Sequence, residues 1–138
     1  IVGVNAFSVH HALDKIAAYQ GMADAVMVLF TGYYKHDFAA LKKAIKAVAE
    51  SSPVPVLYYH FPQVSGLFLN APQLIEILSD TGVVGMKDSA LHVKSAKMVL
   101  QHCNDSAYFS GLSLLLLPNF LLTGLKAINK QRNIPIVN

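Results

Sequence analysis

Apolar residues gather in five short runs, Ile1 to Asn5, Ala25 to Phe30, Val54 to Tyr59, Val83 to Lys87 and Ala107 to Ser110, and helical periodicity fills the stretches between them. Runs of this length, bounded by polar residues, Gly or Pro, predict buried strands. In Phe38 to Glu50, the residues Phe38, Leu41, Ile45 and Val48 recur on one side while Lys42, Lys43 and Lys46 fall on the other. That pattern predicts an amphipathic helix lying on a sheet with its lysines in water. Asn70 as N-cap, Pro72 in the first turn and the stripe Leu74, Ile75, Leu78 predict another helix, ending at Asp80-Thr81-Gly82. Ser89 is expected to cap the next one, with Val93, Ala96, Val99 and Leu100 facing inward. Ser113 is expected to cap a last helix, which Pro118 bends or restricts in its first turns.

Strand and helix alternate strictly, which implies parallel strands joined by right-handed crossovers. An open doubly wound sheet would show a glycine-rich phosphate loop after its first strand, and Gly3-Val4-Asn5-Ala6-Phe7 carries one glycine. A (β/α)8 barrel needs eight strand-helix units and commonly about 250 residues. The 138 residues hold five clear units and a ragged sixth. The expected fold class is therefore α/β, an incomplete (β/α)8 barrel forming a single domain over residues 1–138.

Composition sharpens this picture. Hydrophobic residues make up 54% of the chain and charged ones 14%, as expected when strands are covered on both faces. No unbroken apolar run reaches the length of about 18 residues that a spanning helix requires, since Leu114 to Leu117 stops at Pro118 and Asn119. The net charge of +3 comes from dispersed basic residues, which argues for anionic metabolites and against nucleic acid or membrane as partners. A single cysteine, Cys103, builds neither a disulfide framework nor a thiolate cage, and the expected compartment is the reducing cytoplasm. No signal-peptide pattern opens the sequence. His10 and His11 are adjacent on an expected helix and so face different directions, a poor metal pair. Neither a metal nor an organic cofactor is expected.

Lys87 and Tyr59 are the residues that promise chemistry. Each closes an apolar strand, and the two strands are consecutive. Parallel barrels place their active sites at strand C-terminal ends, and neighbouring strands lie about 4.8 Å apart. An amine and a phenol would then meet if both face inward. A lysine that attacks a ketone must be partly uncharged, which an apolar barrel mouth favours. A phenol beside the resulting imine can move protons. Tyr58 alternates to the helix-facing side and is expected in the core. Asp88, a strand-end acid, is expected to cap the following helix.

The segment Leu57-Tyr58-Tyr59-His60-Phe61-Pro62-Gln63-Val64-Ser65-Gly66, followed by Gly85-Met86-Lys87-Asp88-Ser89, resembles the N-acetylneuraminate lyase and dihydrodipicolinate synthase family. Tyr33-Tyr34 resembles the family's paired aromatic segment after strand four, and Val4 to Ser8 resembles the end of strand three. The resemblance covers about residues 1–129 and leaves 130–138 as a divergent tail, so the strands correspond to about strands three to seven or eight.

It implies a barrel that binds pyruvate, or a 2-oxo acid yielding it, as a Schiff base on Lys87, with Tyr59 transferring protons. Tyr34 would match the tyrosine that reaches a neighbouring subunit's site in synthase-like members, hence a homo-oligomer. Ser89, Gly111 and Ile128 fall where members contact substrate. An arginine of the synthases is replaced by Val64, while His60 and Ser65 lean toward the N-acetylneuraminate lyase branch. Sialic-acid lyases tend to carry an acidic pair where Ser113 and Leu114 stand. The family's Gly-Thr-Thr-like loop, which holds the pyruvate carboxylate, has no counterpart in the 138 residues. The implied activity is cleavage of an N-acetylneuraminate or 2-keto-3-deoxy sugar acid type substrate to pyruvate and an aldehyde. The alternatives are a 4-hydroxy-2-oxoglutarate aldolase, a dihydrodipicolinate synthase-like condensation, or an inert half-barrel.

Overall fold

The computed structural model describes residues 1–34, 37–90, 92–103 and 105–111. Ser113, Pro118, Ile128 and the expected last helix and strand lie outside the described residues. In chain order the elements are β1 (Val2–Ala6), α1 (Val9–Ala18), β2 (Val26–Phe30), a 3₁₀ turn (Gly32–Tyr34), α2 (Phe38–Ser51) and β3 (Val56–His60). They continue with α3 (Pro62–Ser65), α4 (Ala71–Asp80), β4 (Gly85–Asp88), α5 (Val93–His102) and β5 (Ala107–Ser110).

All five strands are parallel and lie in the sheet in sequence order, β1-β2-β3-β4-β5. A doubly wound sheet reverses its order at a switch point. Here each crossover steps the same way, which is how a barrel wall grows.

Alternation along the strands sorts side chains to two faces. Val4, Ala6, Val26, Val28, Phe30, Val56, Tyr58, Met86 and Tyr108 join the helices' Ile16, Leu41, Ile45, Val48, Leu74, Ile77, Ala96 and Val99 in one buried cluster. The opposite parity, the barrel's inner side, carries Asn5, Leu29, Tyr59, Lys87 and Phe109.

Local sequence accounts for the helix ends. Asn70 forms the expected N-cap of α4 within a full capping box: its side chain accepts from Gln73 N–H while the Gln73 side chain accepts from Asn70 N–H. Asp37 caps α2, accepting from Ala40 N–H at 2.9 Å. Lys42, expected in water, instead ties α2 to α4 by hydrogen bonds to Glu76 and Asp80. The Glu76 bond, then the Asp80 bond, raises its amine above the usual lysine value.

Three expectations need correction. The α5 cap is His92, whose Nδ1 accepts from Ser95 N–H. Ser89 stands before the helix, drawn to the sheet because its N–H donates to His60 O at 2.8 Å. Asp88 likewise does not cap α5; its carboxylate is used within the sheet and at Ala90 N–H. β3 and β4 also each run one residue past the expected end, to His60 and Asp88.

Burial raises the phenols of Tyr58 and Tyr108 above their ordinary value, the charge of Asp88 adding to both. The unfolded phenols ionise near pH 10 while the folded ones stay protonated. Their contribution to stability is thus full below pH 10 and lost as pH rises beyond it, by up to about 1.4 kcal/mol per pH unit for each. Urea unfolding at pH 9 and pH 11 is expected to show a steeper stability loss for wild type than for Tyr108→Phe.

Candidate active site

Tyr59 and Lys87 are register partners across β3 and β4. The Lys87 amine lies over the Tyr59 ring, 4.3 Å from its centroid. Both residues are half-buried on the inner face. An ammonium over a phenol face gains roughly 0.5–2 kcal/mol from the ring quadrupole, so the aromatic ring helps to hold the amine in place. Phe61 also stacks with Tyr59, 5.4 Å between ring centroids.

The Tyr59 hydroxyl oxygen accepts from Ser89 Oγ at 3.3 Å. Accepting that bond leaves the phenolic O–H free to donate to a different group. Ser89 is buried and Gly111 presses against it. A Cβ built on Gly111 would lie 1.9 Å from Ser89 Oγ, and the Gly111 N–H donates to Asp88 O at 2.7 Å. The glycine allows this close approach.

The turn after Tyr59 follows from Pro and Gly. Pro62 opens the four-residue α3, and Gly66, with φ of 71°, closes it in the left-handed region. Ser65 is buried inside this turn, donating to Phe61 O at 2.9 Å and accepting from Leu67 N–H at 3.1 Å. His60 is buried on the helix-facing side against Asp88. Both residues that leaned toward one branch of the family therefore do scaffolding work.

The structure thus brings Lys87, Tyr59, Ser89 and Gly111 together. The Tyr34 ring meets Phe30 edge-on at 5.3 Å and packs against the helix-facing core. Ile128 lies outside the described residues. Among the described residues, no group of three His, Cys, Asp or Glu is placed to hold a metal ion, and no helix is long and apolar enough to cross a membrane.

One feature was not foreseen from the sequence. Asp88 Oδ1 is 2.9 Å from His60 Nδ1 and accepts from Ala90 N–H at 2.9 Å, and Oδ2 accepts from Tyr108 Oη at 2.8 Å. His60 and Asp88 are 2% and 1% exposed, so this is a buried polar network. The available signal was parity: both residues lie two positions beyond core side chains, Tyr58 and Met86, on the helix-facing side.

Two glycines give contrasting expectations. A Cβ on Gly85 would lie 2.2 Å from Ala107 O, a backbone atom that cannot swing away. Gly85→Ala is expected to cost about 1–3 kcal/mol, read as a lower denaturant midpoint. Gly111→Ala meets the rotatable Ser89 hydroxyl at 1.9 Å, and less severely Ser89 Cβ at 3.0 Å and Asp88 O at 3.2 Å. Its expected result is a smaller fall in midpoint than for Gly85→Ala, with the Ser89 hydroxyl turned away from Tyr59 in a crystal structure of the variant.

The chain is similar in sequence and fold to several known proteins. The sequence model described as the Dihydrodipicolinate synthetase family matches residues 1–135. A 4-hydroxy-tetrahydrodipicolinate synthase of Syntrophus aciditrophicus is 27% identical over 118 residues, 85% of this chain and 40% of that protein. A probable mitochondrial 4-hydroxy-2-oxoglutarate aldolase of Emericella nidulans is 40% identical over 92 residues, 63% of this chain and 29% of that protein. A solved dihydrodipicolinate synthase of Bacillus anthracis superposes with a TM-score of 0.77 at 26% identity, covering 88% of this chain and 42% of that one. The chain spans about two fifths or less of the length of these two curated relatives.

Proposed function

The chain belongs to the dihydrodipicolinate synthetase family, and from that premise we propose that its residues 1–138 form one partial barrel domain carrying the reacting amine of a class I, pyruvate-dependent lyase or aldolase. The observation that carries this reading is the Lys87 amine resting on the Tyr59 ring at adjacent strand ends. The Lys87 nitrogen attacks C2 of a 2-oxo acid, and loss of water from the carbinolamine gives an imine. The Tyr59 phenol gives its proton to the hydroxyl that leaves the carbinolamine as water, and the resulting phenolate takes the proton of the C4 hydroxyl as the C3–C4 bond breaks. The bond's electrons pass into the protonated imine, forming an enamine and releasing an aldehyde. Protonation at C3 and hydrolysis then return pyruvate and the free lysine. The imine is the electron sink, and no organic cofactor or metal is invoked.

Ser89 positions the phenol, and with Gly111 and Ile128 it is assigned to substrate contact. Tyr34 is assigned to a neighbouring subunit's site in a homo-oligomer, and the cytoplasm is the proposed location. An N-acetylneuraminate or 2-keto-3-deoxy sugar acid type substrate is the first reading. The 40% identity to a protein named as a probable 4-hydroxy-2-oxoglutarate aldolase favours that smaller 2-oxo acid as a second. Val64, in place of the synthases' arginine, argues against a synthase-like condensation.

The test is reduction with borohydride in the presence of pyruvate, followed by peptide mass mapping. An adduct on Lys87 upholds the reading; folded protein that takes up no pyruvate overturns it. Aldehyde release from each 2-oxo acid separates the substrate readings.

A further inference from the structure

We propose that His60, Asp88 and Tyr108 act together as positioning residues for the Lys87–Tyr59 pair, an inference that rests on the function proposed above. The network lies on the far side of the sheet from the amine, yet at the same level. His60 pairs with Asp88 one register step beyond Tyr59 and Lys87. The side chains of one pair enter the helix-facing core and those of the other the inner face.

Every element of the site is tied to this node. Tyr108 brings in β5 through Asp88 Oδ2. Strand β3, with Tyr59 directly before His60, is held through the imidazole at Oδ1. Ala90 N–H donates to the same oxygen, folding the chain sharply after Ser89. Two backbone bonds lock the level, Ser89 N–H to His60 O at 2.8 Å and Gly111 N–H to Asp88 O at 2.7 Å. Ser89 is thereby fixed between Gly111 and the Tyr59 hydroxyl, to which its Oγ donates. The route from carboxylate to phenol is Asp88, the Ala90 turn, Ser89, Tyr59.

The donor pattern is consistent. Tyr108 O–H and Ala90 N–H both need the carboxylate as acceptor, so His60 Nδ1 carries its proton and donates as well. Its Nε2 has no hydrogen-bond partner among the described residues.

Stability alone does not explain this arrangement. Well-packed apolar side chains serve a core as well as a buried polar cluster does, and often better. The same parity elsewhere in the sheet carries Val4, Val28, Val56, Phe30 and Met86. The polar group is confined to the level of the amine. Its gain is register: a slip by one residue would turn Asp88 and His60 to the inner face and Lys87 away from it.

The experiment uses Tyr108→Phe, which removes one donor and keeps the ring, with His60→Leu as the second variant should the first not fold. Two readouts are taken on folded protein: the rate of borohydride-trapped pyruvate uptake at Lys87, and the NMR resonance of Tyr59 in ¹³C-tyrosine-labelled protein. The expected result is uptake slowed about 10- to 100-fold, the scale of a sub-ångström misplacement, together with a shifted Tyr59 resonance. Because Tyr108 keeps its ring on the opposite face, that shift reports movement carried through the sheet. Wild-type values in both readouts would overturn the proposal. If wild-type protein itself takes up no pyruvate, the proposed function fails, and positioning is judged on the Tyr59 resonance alone: a shift upholds it and an unmoved signal overturns it.

Discussion

Lys87→Arg will form no pyruvate adduct and will show turnover at the solution background. Arginine keeps a cation over the Tyr59 ring, so the packing seen at 4.3 Å is retained. Its guanidinium stays protonated at any working pH and cannot attack a carbonyl. The variant therefore removes the nucleophile while preserving the charge. Tyr59→Phe is the informative partner. The ring remains beneath the amine and only the hydroxyl that meets Ser89 is removed. It should still be trapped with pyruvate at Lys87, yet lose about 10²- to 10⁴-fold in kcat, the range for removing a proton-transfer group. Single-turnover kinetics with mass mapping reads both. Turnover surviving in Lys87→Arg would show that this amine is not the one that reacts, and an unchanged kcat in Tyr59→Phe would remove the phenol from the proton path.

The largest effect on stability is expected at Asp88. Asp88→Ala strips the acceptor from His60 Nδ1, Tyr108 Oη and Ala90 N–H at once. Each buried donor left unmet costs about 1–3 kcal/mol, so a total of about 3–9 kcal/mol is expected. That is a large share of the 5–15 kcal/mol that holds an ordinary domain together. Tyr108→Phe removes one donor and leaves the carboxylate its other two partners, so about 1 kcal/mol is expected. Equilibrium urea unfolding compares them. Equal midpoints for the two variants would show that the carboxylate is not the node of the network.

The strand-helix rhythm of the chain was legible because each of its signals is local. Five apolar runs mark five strands, and Asn70, Pro72 and Gly82 punctuate α4 where expected. Lys87 and Tyr59 were legible for a related reason: consecutive parallel strands must lie near one another, and parity then decides which side chains share a face. The motif around Pro62 and Gly66 forms a turn for reasons of residue type alone.

Other features were set by partners distant in sequence. Lys42 looked like a solvated lysine and became a clasp because α4 brings Glu76 and Asp80 beside it, 34 and 38 residues away. Ser89 looked like a helix cap until β3 offered the His60 carbonyl to its N–H. His60 and Asp88 looked like residues beyond the strand ends because a polar residue closes an apolar run. Only the pairing of β3 with β4, and the arrival of Tyr108 from β5, allowed both to be buried and the strands to run one residue further.

The sequence by itself therefore determined the alternation, the parallel sense of the strands and the placement of the Lys87 amine beside the Tyr59 phenol, because these depend on periodicity and on residue chemistry. Tertiary structure alone decided that strand order continues without reversal, that a glycine lets Ser89 reach the phenol, and that a carboxylate on the far face is shared by three donors. Those outcomes require groups from separate elements to meet within hydrogen-bonding distance, and no local pattern encodes a distance.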